Sequence, residues 1–123
     1  MVLIQYFLIF VLGAMGYGLL EIIWRGRTHW SMLLCGGICF CLMYLVSAAD
    51  IPFLRKCLFS TAAITGVEFF TGCLVNRRLR WNVWDYSAVR FNVLGQICPL
   101  YSLMWFVLSI PGIGLCQRLH TIL

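Results

Sequence analysis

Residues 58–75 read L-F-S-T-A-A-I-T-G-V-E-F-F-T-G-C-L-V, a run in which Glu68 is the one charged side chain. As a helix at about 1.5 Å per residue, a run of this length approaches the ~30 Å hydrocarbon core of a bilayer. Working outward, three more runs have the same character, at about 2–24, 30–49 and 91–110. Pro111-Gly112 is expected to end or bend the last. The connections are short, which makes neighbouring helices antiparallel. The expected fold is an all-α bundle of four transmembrane helices without strands, in one integral membrane domain over residues 1–123.

Composition agrees with this reading. The chain has 123 residues, of which 63% are hydrophobic and 11% charged. Soluble domains average about 45–50% apolar and about 25% charged residues, so a water-facing surface cannot be built from this supply. The net charge of +5 would suggest nucleic acid in a soluble protein. In a membrane protein such charge sets orientation, and no nucleic-acid partner is expected. Cys35, Cys39, Cys41, Cys57, Cys73, Cys98 and Cys116 lie in or beside apolar runs, with no C-x-x-C among them. Cys35 and Cys39 share a helix face, but buried thiols acting as small hydrophobes explain the set better than a soft-metal site. No metal and no cofactor are expected. The start, M-V-L-I-Q-Y-F-L, lacks the positive n-region of a signal peptide.

Cations place the loops. Arg25 and Arg27 fall in the first connection, and Arg77, Arg78, Arg80 and Arg90 in the third. Arg55, Lys56 and Arg118 fall on the opposite side. Six against three puts the first and third loops in the cytoplasm and both termini outside, with dual insertion as the alternative.

The polar residues form stripes. Thr61, Thr65, Glu68, Gly72 and Asn76 recur at helical spacing on one face of the third helix. Ala14, Gly18, Glu21 and Arg25 do so on the first, and Asn92, Gly95, Pro99, Ser102 and Ser109 on the fourth. Such stripes face other helices, where small residues admit close approach and polar ones find partners. Packing alone accounts for Thr61, Thr65, Ser102 and the glycines. Glu68 is harder to dismiss: nine residues before Arg77 places it roughly 13 Å deep, and an intramembrane ionisable group marks a functional site by default. A proton or a cationic ligand is its simplest partner. Glu21, about 6 Å deep, is balanced between a structural pair with Arg25 and a ligand role.

These groups converge on the side where the third loop lies. That loop, W-N-V-W-D-Y-S-A-V-R-F-N-V-L-G-Q-I-C (81–98), holds polar groups that the rest of the chain lacks. The candidate ligand- or ion-binding set is Glu21, Glu68, Asn76, Asn92 and Gln96. Arg25, His29, Trp84, Asp85, Tyr86 and Ser87 are expected to form a lid over it. Trp81, Trp84 and Tyr86 suit an interfacial belt. Asp85 is expected to bond an arginine or nearby backbone N–H groups. C-G-G-I-C (35–39) and L-G-Q-I-C (94–98) suggest two pseudo-symmetric helix hairpins.

Larger motifs carry a resemblance. V-E-F-F-T-G-C-L-V-N (67–76), W-D-Y-S (84–87), N-V-L-G-Q-I-C (92–98) and Trp105, with R-G-R-T-H-W-S-M (25–32) before G-G-I-C, resemble the Putative ABC-transporter type IV, or CmpB-like, membrane family. An orphan vertebrate transmembrane family is similar over the same motifs. The resemblance spans nearly the whole chain and marks Glu21, Arg25, Gly26, Glu68, Phe69, Gly72, Asn76, Trp84, Asp85, Tyr86, Ser87, Asn92, Gly95 and Trp105. It implies transport. No Walker A string occurs here, so ATP coupling would need another subunit. Where longer relatives open the second helix with a G-P-I-C-P-type run, this chain has G-G-I-C-F (36–40) and places a proline after Cys98 instead.

Three functions compete. The leading one is a small transporter or channel component with an intramembrane carboxylate at a polar cytoplasmic mouth, acting on an ion or small molecule. Four helices seldom enclose a pathway alone, so a homodimer or a partner membrane subunit is expected. The second is a non-catalytic assembly subunit. The third is a membrane-embedded lipid-modifying enzyme using His29, Asp85 and Glu21 as acid and base. It ranks last because no motif specifies a nucleophile or metal triad.

Overall fold

Apolar runs of this length must satisfy every backbone N–H and C=O internally once water is absent, and the helix is the local way to do so. The computed structural model describes residues 2–123. It contains helix α1 over Val2–Arg25, α2 over Trp30–Ser47, α3 over Phe53–Gly72 and α4 over Pro99–Ile122. A π-helical turn, Cys73–Arg78, extends α3. All four helices are long and apolar enough to cross a membrane. No strand occurs among the described residues; one isolated bridge joins Val93 and Ile97. The chain is an integral, multi-pass membrane protein.

Local chemistry sets the boundaries. Gly26, with φ of 75°, follows α1 and donates its N–H to the Ile22 carbonyl at 2.9 Å. A left-handed residue just past a helix end is a common stop. His29 caps α2, its ring nitrogen accepting the Ser31 N–H at 3.2 Å. Pro52 precedes α3 and Pro99 opens α4, where a missing N–H costs nothing.

The helices pack in chain order. α1 lies along α2, whose Gly36 and Gly37 receive the Tyr17 and Phe10 side chains. α2 meets α3, α3 meets α4, and α4 also touches α2. Ile9, Tyr44, Cys57, Ile64, Ile113 and Cys116 make the shared core. All seven cysteines are free thiols. Outer faces present Leu3, Phe7, Met15, Phe59, Phe70 and Leu103, as a lipid-facing surface should. The loops over residues 26–29 and 79–98 share one end, where Arg25 Nη2 donates to the Val83 carbonyl at 2.6 Å. The other end holds the α2–α3 connection and both ends of the chain. There Gln5 Nε2 reaches the Leu123 carbonyl at 3.3 Å, and Lys56 Nζ the Ser47 carbonyl at 2.7 Å.

Three boundaries differ from the sequence expectation. The fourth helix was expected over 91–110 but runs from Pro99 to Ile122. Phe91, Leu94 and Gly95 have φ of 59°, 54° and 74°, a left-handed backbone that no α-helix tolerates. Pro111-Gly112 does not end α4. Its missing N–H is accommodated within the helix, as is frequent in membrane spans. The third helix starts at Phe53 rather than residue 58, taking Arg55 and Lys56 into its first turns. The paired motifs at 35–39 and 94–98 also fall on different structures. The first lies inside α2 and the second in irregular loop, so they do not mark equivalent positions of two hairpins.

Candidate functional site

The polar stripe of α3 faces α4. Thr61 turns back to its own Cys57 carbonyl at 2.8 Å. One turn on, the Thr65 and Ser102 hydroxyls meet at 3.1 Å. Next, Trp105 Nε1 donates to Glu68 Oε2 at 2.9 Å. Glu68 is only 4% exposed, and its Oε1 has no hydrogen-bond partner among the described residues.

On α1, Tyr17, Glu21 and Arg25 follow at four-residue spacing. The Tyr17 hydroxyl donates to Glu21 Oε1 at 2.9 Å, and Arg25 Nη1 pairs with Glu21 Oε2 at 3.3 Å. Both oxygens of this buried carboxylate are therefore engaged. The Tyr17 and Trp105 rings lie 5.5 Å apart. They stand between the two carboxylates and join the α1 chain of contacts to that of α3 and α4.

Between the Tyr17–Trp105 contact and the Gln5–Leu123 bond, α1 and α4 stand apart. A cleft of about 630 Å³ opens between them, floored by α2 and α3. Its wall is almost wholly apolar: Leu12, Leu20, Met32, Phe40, Ile64, Leu108 and Leu115 are among its residues. Tyr17 and Trp105 line it too, and among the described residues Glu68 is the one charged side chain that does. Glu21 lies outside it. A smaller cavity of about 70 Å³ sits where loops 26–29 and 79–98 meet, lined by Arg25, Arg27, Thr28, His29 and Val83.

The twenty residues of loop 79–98 are held by amides. Asn76 Oδ1 accepts the Val83 N–H at 2.7 Å and the Trp84 N–H at 3.3 Å, while its Nδ2 donates to Gln96 Oε1 at 2.8 Å. Gln96 donates in turn to the Leu94 carbonyl at 2.8 Å. Asn92 bonds the Ser87 and Val89 carbonyls and accepts the Gly95 N–H at 2.9 Å. These three side chains, expected as ligands, are thus spent on the loop itself.

Trp84 is 6% exposed and donates Nε1 to the Gln96 carbonyl at 3.0 Å. Its ring edge and the Gln96 side chain lie over Gly72, where even a Cβ would come within 2.5 Å of Gln96 Oε1. Tyr86 stacks on Tyr101 at 4.6 Å, nearly parallel. Burial raises its phenol well above the ordinary range, so it acts as a neutral group. Asp85 is exposed and accepts the Ser87 N–H at 2.9 Å. It makes no ion pair with an arginine among the described residues. Ser87 thus takes part through its backbone. His29 bonds Ser31 Oγ at 2.7 Å and lies against Trp30 and Trp81 at 5.5 and 5.7 Å.

Because asparagine can accept the same turn bond, Asp85→Asn is expected to change stability by less than about 0.5 kcal/mol. A detergent thermal melt checks this.

Glu68 and the loop fall toward the same end of the bundle on sequence spacing, while Tyr17 has no place in the expected site. Its signal was present: Tyr17, Glu21 and Arg25 at i, i+4, i+8 share a helix face. Trp105 stood out only through the family resemblance, since an indole in an apolar run reads as packing until its N–H partner is known.

No curated protein and no solved structure matches the chain significantly. The family model described as Putative ABC-transporter type IV matches residues 6–122. With nearly every described residue inside that match, the chain belongs to the Putative ABC-transporter type IV family.

Proposed function

We propose that the chain is a component of a membrane transporter or channel in which Glu68 is the ligand-binding group. The observation that carries this reading is the unpartnered Oε1 of Glu68 beside an open cleft in the apolar zone. A carboxylate is costly there unless it has a task. The family description supports transport. Glu21 is assigned a structural role, since Tyr17 and Arg25 occupy both its oxygens. Asn76, Asn92 and Gln96 hold the lid formed by loop 79–98, with Trp84 as its plug. The enzyme reading draws no support, because His29 and Asp85 each bond locally and not to one another. A second copy or another membrane subunit completes the pathway, and ATP coupling, if any, resides in such a subunit.

The test is proton flux into liposomes holding the purified chain. Glu68→Gln is expected to lower flux at least tenfold, about 1.4 kcal/mol. Equal flux in parent and variant would overturn the assignment. Flux no higher than in protein-free liposomes would favour an assembly subunit.

Loops 26–29 and 79–98 face the cytoplasm in this proposal, with both termini outside, as the arginine bias supports. In a background without native cysteines, Asp50→Cys should react with a membrane-impermeant maleimide from outside. Asn82→Cys should be spared. The reverse pattern would invert the orientation.

A further inference from the structure

We infer that the cleft between α1 and α4 takes a lipophilic organic cation, entering sideways from the bilayer. This inference rests on the reading of Glu68 as the ligand-binding group and specifies what it binds.

Charge comes first. Among the described residues, no lysine or arginine lines the cleft. The cation nearest in sequence to the Tyr17 and Glu21 side chains, Arg25, is held by Glu21 at 3.3 Å and by the Val83 carbonyl at 2.6 Å. The complement of the site is therefore a single positive charge. An anion would meet the Glu68 carboxylate with no counter-ion.

Solvation then selects the kind of cation. Hard metal ions want about six oxygen ligands, and Glu68 offers one uncommitted oxygen. The Ser109 hydroxyl on the same wall is turned to the Phe106 carbonyl at 2.6 Å. A small hydrated ion would lose its water without replacement. An organic cation carries its apolar shell with it. Its charge can rest against Glu68 and the faces of Tyr17 and Trp105, as ammonium groups do on aromatic rings.

Size and access agree. The volume of about 630 Å³ falls within the ~300–1,000 Å³ of clefts that hold drug-sized ligands. Leu12, Leu20, Leu108 and Leu115 line the cleft and are exposed, so the cleft is open along an apolar edge of membrane-spanning helices. A ligand that partitions into the bilayer reaches it without crossing the lid.

Tetraphenylphosphonium and tetraphenylborate are near-identical in shape and opposite in charge. Equilibrium dialysis of each against the full chain in lipid nanodiscs tests the inference. The phosphonium should bind saturably, and the borate should not. Glu68→Gln should raise the phosphonium Kd at least tenfold. Gly16→Leu should do the same without touching Glu68. Gly16 lines the cleft, and a Cβ there meets nothing within 4 Å, so a side chain can start into the cleft from this position without a clash at its root.

Equal binding of both ions, or phosphonium binding indifferent to both variants, would overturn the inference. So would a cross-link between Gly16→Cys copies at full yield, which would put a second chain in the cleft. Glu68-dependent proton flux without phosphonium binding would overturn the ligand class and leave the transport reading standing. Glu68-dependent phosphonium binding with neither proton nor phosphonium flux into liposomes would uphold the ligand class and remove transport.

Discussion

Asn76→Ala is expected to destabilise the folded loop by about 3 kcal/mol, read from a denaturant titration in detergent. Three bonds are lost together, from the Val83 and Trp84 N–H groups and to the Gln96 amide. Val83, Trp84 and Gln96 are all buried. Their freed polar groups would face protein rather than water, and each such group costs about 1–3 kcal/mol, less than additively. Asn92→Ala removes as many bonds, yet two of its three partners lie nearer the surface, at the exposed Ser87 and half-buried Val89, and only the Gly95 N–H is buried. Water can replace the two carbonyl bonds but not the one to the buried Gly95 N–H, so that variant should cost about 1–2 kcal/mol. Equal losses in the two variants would show that Asn76 has no special place in the loop.

Trp84→Ala should cost about 3–5 kcal/mol, the usual penalty for deleting a buried aromatic. The alternative environment for this side chain is the wet membrane interface rather than lipid tails, so the hydrophobic term applies in full. Trp84→Phe separates the contributions. It keeps most of the packing over Gly72 and loses the 3.0 Å bond to the Gln96 carbonyl, which should cost about 1 kcal/mol. Because Trp84 and Asn76 share Gln96 as a neighbour, the double variant should lose less than the two singles together. Full additivity would mean that ring and amide hold separate parts of the loop.

Much of the fold was legible because the bilayer imposes a length on any apolar run that crosses it. Residues 2–24, 30–49 and 58–75 are close to three of the helices found. The fourth was misread for a definite reason. F-N-V-L-G-Q-I-C has the apolar content of a helix, while the left-handed backbone at Phe91, Leu94 and Gly95 comes from tertiary bonds that letters do not display. Glu68 was legible as a lone charge in an apolar run. Its pairing with Trp105, and the cleft beside it, were not. A gap between α1 and α4 is a property of two helices far apart in sequence, and neither carries a local sign of it. The roles of Asn76, Asn92 and Gln96 were equally hidden, since an amide near a membrane mouth reads the same whether it serves a ligand or a loop.

The π-helical turn over Cys73–Arg78 makes chain length a coordinate of the fold. Here the Leu79 N–H reaches back to the Leu74 carbonyl and the Trp81 N–H to the Val75 carbonyl. Such a turn holds more residues than an α-turn does. Deleting one residue with the winding unchanged would rotate all that follows by about 100°, carrying the start of the loop away from Asn76. Arg77 and Arg78 are exposed, so their side chains are replaceable even though their places in the count are not. Tolerance to substitution and tolerance to deletion therefore part company within six residues.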